Sequence, residues 1–319
     1  MSLPDNVHRF ECRAMATTFE LMVAGGDYRI AESAAAAAFA LIERIELQIS
    51  RFVYTSETMM VAQLKPGEVY RLHMETMNLL VRASELCAIT AGAFDVTLGP
   101  IMDALRKVDH RWAALTAKER KDAMARCGMN RLILDPEHYL ISVKEDRLGR
   151  PTPVQLDFGA IGKGWALDLA AKMLVEDWEL ENFLFHGGTS TVLAHGSIGD
   201  GKDGWPIGVG GAWKERGGLD AVRISSGAIS GSGFEEQGMH VVDALKGVAA
   251  AQHGGTWAYA KDATTADALS TAFLAMSWGC INELCERVSG VGAMIAREQP
   301  LWMDKVRKPV RTCGIFPVS

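Results

Sequence analysis

The chain has 319 residues, 48% of them apolar, and a formal net charge of −6. That length allows one large domain or two small ones, and that apolar share supports a real core and excludes wholesale disorder. Net acidity without a basic block excludes a nucleic-acid binder, so any bound phosphate must be held by a local site.

The first residues, Met1 to Ala16, carry Asp5, His8, Arg9, Glu11 and Arg13 and no apolar signal core, and no stretch reaches the roughly 18 apolar residues of a membrane span. As it stands the chain reads as cytoplasmic. The start at Met1-Ser2-Leu3 fits equally a removed leader, which would place the protein outside the cytoplasm or on a membrane anchor. Six scattered cysteines without a C-x-x-C pair read as reduced thiols, with Cys280 and Cys285 on different helix faces.

In chain order, Phe10–Ala24 is β-rich and ends at the Gly25-Gly26 turn. Ile30–Ile49 carries Leu41, Ile42, Ile45 and Ile49 at helical spacing, and Met74–Ile89 is a second helix stopped by Ala91-Gly92. Arg131–Val143 reads as a hairpin turning at Asp135-Pro136, Val154–Phe158 as a buried strand, and Ile161–Val175 as a helix. Glycines crowd 187–238 around the short apolar runs Phe183–Phe185 and Val222–Ile224, which indicates β structure with tight turns. Thr256–Ala260 is a strand, Thr264–Met276 a helix and Val291–Ala296 a late strand. Helices and strands mix without strict βαβ alternation, so the fold class is α+β.

Four stretches carry candidate chemistry. Leu156-Asp157-Phe158-Gly159-Ala160-Ile161-Gly162-Lys163-Gly164 empties a strand through a glycine turn into a helix. Its N–H groups, dipole and Lys163 suit a phosphate, although it is neither a Walker A loop nor a dinucleotide fingerprint. A plain packed strand–helix turn is the competing reading. Asp267 and Thr271 stand i and i+4 on one helix face, a carboxylate and hydroxyl pair suited to Mg²⁺. An Asp complementing the helix dipole and a Thr bonding back to the previous turn would look the same. Gly92–Pro100 reads equally as a loop presenting Asp95 and as a helix-to-helix connection. His240, before Val241-Val242-Asp243, is a candidate base or a structural histidine.

Taken in order, Met15–Glu20, Gly92–Pro100, Leu156–Gly164, His186-Gly187-Gly188, His240–Asp243, Ala266–Thr271 and Val291–Ile295 resemble the ApbE-type FAD:protein FMN transferases. The resemblance spans nearly the whole chain. It implies one ApbE-like α+β domain over 1–319, with mixed or antiparallel sheets flanked by helices, or two α+β subdomains with FAD in the cleft between them. It implies Mg²⁺-dependent transfer of the FMN half of FAD to a Thr or Ser of an acceptor flavoprotein, with AMP released. By the same resemblance the Mg²⁺ ligands are the Ala160 carbonyl, Asp267 and Thr271. Met15, Phe52, Ala93, Phe94, Asp95, Asp157, Lys163 and Val242 fall where the family touches FAD, and His240 where it carries its candidate base.

Four departures accompany it. Phe52 stands where the family has Tyr. Its Ser-Glu-Leu-Ser-Arg-Leu-Asn run is Ser56-Glu57-Thr58-Met59-Met60-Val61-Ala62 here, Gly-Gly-Asp is Gly187-Gly188-Thr189, and His-x-x-Asp-Pro-Arg-Thr-Gly is His240-Val241-Val242-Asp243-Ala244-Leu245-Lys246-Gly247. These leave two alternatives to transfer: FAD hydrolysis to FMN and AMP, and FAD binding without turnover.

Overall fold

The computed structural model describes residues 6–210, 221–233, 241–250, 252–296 and 310–317. The chain divides into two compact units: one draws on residues 1–45, 161–238 and 252–319, the other on 46–160 and 239–251.

The first unit is built on an eight-stranded sheet, antiparallel at every pairing. Its strands are β1 (Val7–Ala14), β2 (Thr17–Ala24), β6 (Phe183–Gly187), β7 (Thr191–His195), β10 (Ser226–Gly233), β13 (Gly255–Ala260), β14 (Gly292–Ala296) and β15 (Val310–Gly314), in that spatial order. Period-two alternation sorts their side chains to two faces. On one face Met22, Leu184, Val192, Ala194, Ile229 and Met294 form a core with Trp205, Ile207, Val222 and Ile224, which belong to the two-stranded ribbon of β8 (Trp205–Ile207) and β9 (Val222–Ile224).

Helices cover the other face. α1 (Tyr28–Ile49) buries Ala31, Ala34, Ala35, Ala38, Ile42 and Ile45 along one stripe, and its Phe39 meets Phe185 edge-on at 6.0 Å. α6 (Gly162–Glu176) and α7 (Ala263–Phe273) pack against each other and against the sheet. α7 is buried along nearly its whole length, so its polar residues need partners inside the protein. α8 (Trp278–Arg287) exposes Cys280 and buries Cys285, the opposite faces that their spacing requires.

The second unit has a three-stranded sheet ordered β3 (Val69–Arg71), β5 (Leu140–Val143), β4 (Leu132–Asp135). Around it lie α2 (Glu57–Val61), α3 (Met74–Ile89), α4 (Gly99–Arg106), α5 (Ala117–Ala125) and the short hairpin β11 (Val242–Asp243) and β12 (Val248–Ala249). Ile101, Leu105, Leu115, Ala123, Cys127 and Val242 share one core. Arg131, 2% exposed, anchors the turns of this unit by donating to the carbonyls of Arg126, Lys144, Glu145, Thr152 and Pro153.

The predicted strand over 154–158 is not one. Val154, Leu156 and Phe158 are buried alternately as expected, but the segment makes only two bonds to its neighbour, Asp157 N to Val96 O at 2.7 Å and Gly99 N to Gln155 O at 3.2 Å. That neighbour is a turn followed by the start of α4, so no ladder can propagate. Among the described residues no helix is long and apolar enough to cross a membrane.

Candidate active site

In the first unit, the turns at one end of the sheet gather the chemistry. The β1–β2 turn holds Met15 and Ala16 at φ +50° and +59°, and Gly188 follows β6 at φ +70° with its N–H bonded to Thr18 O at 3.0 Å. In register next to them, Thr191 of β7 pairs with Ser230 of β10. Both hydroxyls point to the helix side and reach Asp267 of α7.

Asp267 is 3% exposed and fully partnered. Its Oδ1 accepts from Thr191 Oγ1 at 3.1 Å and Ser230 Oγ at 3.2 Å. Its Oδ2 accepts from the Gly164 N–H at 3.1 Å, and Lys163 Nζ stands 3.5 Å away. The expected reading of α6 as a phosphate cradle is thereby sharpened: one of its N-terminal N–H groups already holds an internal carboxylate. Nor does Asp267 serve as the first-turn cap of α7. Asp262 caps that helix by accepting from Thr265 N at 2.7 Å, and Asp168 of α6 accepts from the N–H groups of Ala263 and Thr264 at 2.7 and 2.8 Å.

Thr271 lies one turn beyond Asp267. Its hydroxyl bonds back to Asp267 O at 3.4 Å and meets Ser232 Oγ at 3.3 Å, while Ser232 and Ser270 hydroxyls are 2.9 Å apart. Oxygen is thus the only donor type Asp267 and Thr271 offer, which suits a hard divalent cation that keeps further positions for phosphate or water. The ammonium of Lys163 lies beyond the 2.7–2.9 Å of a tight charged hydrogen bond. The pair is an ion pair at 3.5 Å, with the ammonium beside the carboxylate as its counter-charge. Among the described residues no three His, Cys, Asp or Glu side chains cluster as a metal site; the donor set here is one carboxylate with hydroxyls.

In the second unit, Phe52 is 73% exposed, with Arg106 4.8 Å above its ring centroid. Ala93 and Phe94 are buried, and Asp95 turns inward: Oδ1 accepts from Thr97 N at 2.7 Å and Thr97 Oγ1 at 2.6 Å, Oδ2 from Met129 N at 3.2 Å. Burial raises its carboxyl above the usual range and those hydrogen bonds pull it back. Gly92–Pro100 runs from the end of α3 into the start of α4. Asp157 bonds Arg51 through Oδ2 and the Gly159 N–H through Oδ1, and Ala160 lies in the turn that follows. Val242 is 6% exposed, with its side chain in the core of the unit. His240 lies outside the described residues.

Two of the departing runs keep residues with structural roles. In the 56–62 run the retained pair does architectural work: Ser56 caps α2 through Met59 N at 3.1 Å, and buried Glu57 accepts from His73 N at 2.7 Å and from Thr76 Oγ1. In the 240–247 run Asp243 closes its turn by accepting from Leu245 N and Lys246 N at 3.0 and 3.1 Å, and Gly247 takes φ +63°. Residues 244–246 can change while that turn persists. Sequence reasoning missed Thr191, Ser230, Ser232 and Arg51; only the strand registers and the fold bring them to their partners.

A cavity of about 280 Å³ on the first unit, lined by Asp168, Lys172, Glu176, His195 and Lys261 among others, contains none of the expected site residues.

The fold has close counterparts. A flavin transferase ApbE from Vibrio cholerae superposes with a TM-score of 0.80 over 99% of this chain and 98% of its own, at 20% identity. The flavinyl transferase ApbE of Pseudomonas stutzeri gives 0.78 over 93% and 95%, at 24% identity. An FAD:protein FMN transferase of Vibrio cholerae is 25% identical over 228 residues, 65% of this chain and 62% of the relative, so the matched stretch spans under two thirds of that protein. The profile of the ApbE family matches residues 15–295. With that match running from the Met15 turn through the Asp267 helix to the last residues of β14, the chain belongs to the ApbE family.

Proposed function

We propose that this protein is an FAD:protein FMN transferase, moving the FMN half of FAD to a Thr or Ser hydroxyl of an acceptor flavoprotein. The family and the name carried by the Vibrio cholerae relative support the reading. The observation that carries it is the buried Asp267, held by Thr191, Ser230 and the Gly164 N–H beside Lys163.

In the reaction the acceptor oxygen attacks the FMN-side phosphorus. A P–O bond forms there, the pyrophosphate P–O bond breaks, and AMP leaves. Asp267, Thr271 and the Ala160 carbonyl would hold Mg²⁺, which when bound supplies charge neutralisation at the pyrophosphate. Lys163 adds a positive charge for the same anion. Phe52 offers an exposed ring for the flavin to stack on, and the turns carrying Met15, Ala93–Asp95, Asp157 and Val242 complete the FAD contacts, the last through its backbone. His240 takes the proton of the attacking hydroxyl, a role worth about 10²–10⁴ in rate.

The test mixes the protein with FAD, Mg²⁺ and a candidate acceptor, then measures covalent flavin on the acceptor by mass and AMP in solution. Flavinylated acceptor with matching AMP supports transfer. Free FMN with unmodified acceptor reassigns the protein as an FAD pyrophosphatase, and unchanged bound FAD as a flavin carrier. His240→Ala should bind FAD normally and transfer slowly.

A further inference from the structure

Arg51, two residues past the end of α1, ties together two carboxylates of the second unit, Asp103 and Asp157. Its side chain is 11% exposed. One terminal nitrogen donates to Asp157 Oδ2 at 2.5 Å, across 106 residues of sequence. The other donates to Asp103 Oδ1 at 2.5 Å and lies 3.5 Å from Gly99 O, across 52 and 48 residues. The guanidinium carbon is also 5.9 Å from the Phe52 ring centroid. Around it, Arg106 stands 3.5 Å from Asp103 with its guanidinium carbon 4.8 Å from the Phe52 ring centroid, and Gln155 Nε2 donates to Asp103 Oδ2 at 3.2 Å.

Two arginines thus balance two carboxylates. Asp157 gives its second oxygen to the Gly159 N–H at 2.9 Å, so Arg51 fixes the carboxylate that in turn shapes the 157–159 turn. An arginine fork suits this because its donors diverge in one rigid plane. If Arg51 were absent, Asp157 would present an uncompensated negative charge to any anionic ligand of that turn, and Phe52 would lose a neighbour that restrains its ring.

We infer that Arg51 is a positioning residue for FAD: it cancels the charge of Asp157, holds the 157–159 turn in shape and steadies Phe52 as a stacking surface. The inference rests on the proposal above that Asp157 and Phe52 meet FAD. It assigns Arg51 to binding of the nucleotide and not to the bond-breaking step, so its loss should act on KM and leave kcat nearly alone.

The experiment measures FAD binding by flavin fluorescence and steady-state transfer kinetics on the full chain. It compares the parent with Arg51→Met, Arg51→Lys, Asp157→Asn, Phe52→Ala and the Arg51→Met/Asp157→Asn double variant. Arg51→Met should weaken FAD binding about tenfold to a hundredfold, the equivalent of one lost charge-assisted hydrogen bond, with kcat at saturating FAD within about threefold of the parent. Arg51→Lys should restore part of the affinity, and Asp157→Asn added to Arg51→Met should restore part of it too, since the stranded charge is gone. A purely architectural arginine would lower the melting temperature without either rescue. Parent-like FAD affinity in folded Arg51→Met, with Phe52→Ala impaired, overturns the inference and leaves the FAD site standing. Parent-like affinity in Phe52→Ala and Asp157→Asn overturns the placement of FAD itself. If Arg51→Met does not fold, the Lys variant and the double variant carry the same comparison.

Discussion

The backbone N–H of Gly164 donates to Oδ2 of Asp267 at 3.1 Å across 103 residues of sequence. The contact is possible because α6 and α7 approach unusually closely there. A Cβ on residue 164 would lie 2.2 Å from the Ala263 carbonyl oxygen and 2.8 Å from the Thr264 Cα. This explains why glycine follows Lys163, where a Walker A loop has Ser or Thr: any side chain would separate the two helices and break the carboxylate's backbone bond.

Gly164→Ala should therefore be costly despite the usual helix preference for alanine. Overpacking against backbone costs about 1–3 kcal/mol or more, and the Asp267 bond is lost with it. Urea unfolding should show a fall of about 3 kcal/mol, together with weaker Mg²⁺ binding at the proposed Asp267 site by calorimetry. A variant as stable as the parent would show that α6 and α7 are not locked together at this point.

Thr191→Val removes one donor to Asp267 Oδ1 at nearly constant volume, leaving Ser230 in place. A hydrogen bond to a charged group contributes about 1.5–3 kcal/mol, and the loss should appear both in urea unfolding and in Mg²⁺ affinity. Because Thr191 and Ser230 hydroxyls also contact each other at 2.9 Å, Thr191→Val/Ser230→Ala should be non-additive. Strict additivity would mean that the two hydroxyls hold the carboxylate independently.

What the sequence made legible follows from the range of each interaction. α3 matches its predicted Met74–Ile89 bounds because an apolar stripe and the Ala91-Gly92 stop, both at positive φ, are local signals. The Asp267–Thr271 spacing was readable for the same reason. The clamp on Asp267 was not, because Thr191 and Ser230 lie 76 and 37 residues away and look like ordinary strand residues. Arg51 was hidden likewise, and the missing strand over 154–158 depended on what its neighbour does. The internal hydrogen bonds of Asp95 were not readable either, because they depend on where Thr97 and Met129 place their donors.

Arg131 should be the most sensitive position of the second unit. Its guanidinium is the shared donor to carbonyls from Arg126, Lys144, Glu145, Thr152 and Pro153. Arg131→Met strands those carbonyls and should destabilise by more than about 4 kcal/mol. Arg131→Lys, with three donors on one atom, should recover only part of this in thermal melts. A conservative outcome for Met would place the stability of these turns in their own backbone bonds.

The remaining prediction concerns pH. Asp168 accepts from the N–H groups of Ala263 and Thr264, yet burial, outweighing those bonds, pushes its carboxyl up to about 6 from 3.8. Between those values the folded state keeps the proton that the unfolded state has lost. By linkage, stability then falls as pH rises from about 4 to about 6 and is level beyond, where both states are ionised. Below about 4 both are protonated and the group contributes no slope. Asp168→Asn cannot ionise, so the difference in unfolding free energy between parent and variant should change by about 1–3 kcal/mol across that window. The sign is fixed: the parent loses ground to the variant as pH rises, the reverse of the behaviour expected of Asp146, whose hydrogen bonds and ion pair with Arg150 overcome burial and hold its carboxyl down to about 2. Urea midpoints at half-unit steps would resolve it, and a pH-independent difference would mean that Asp168 is ionised throughout in the folded protein.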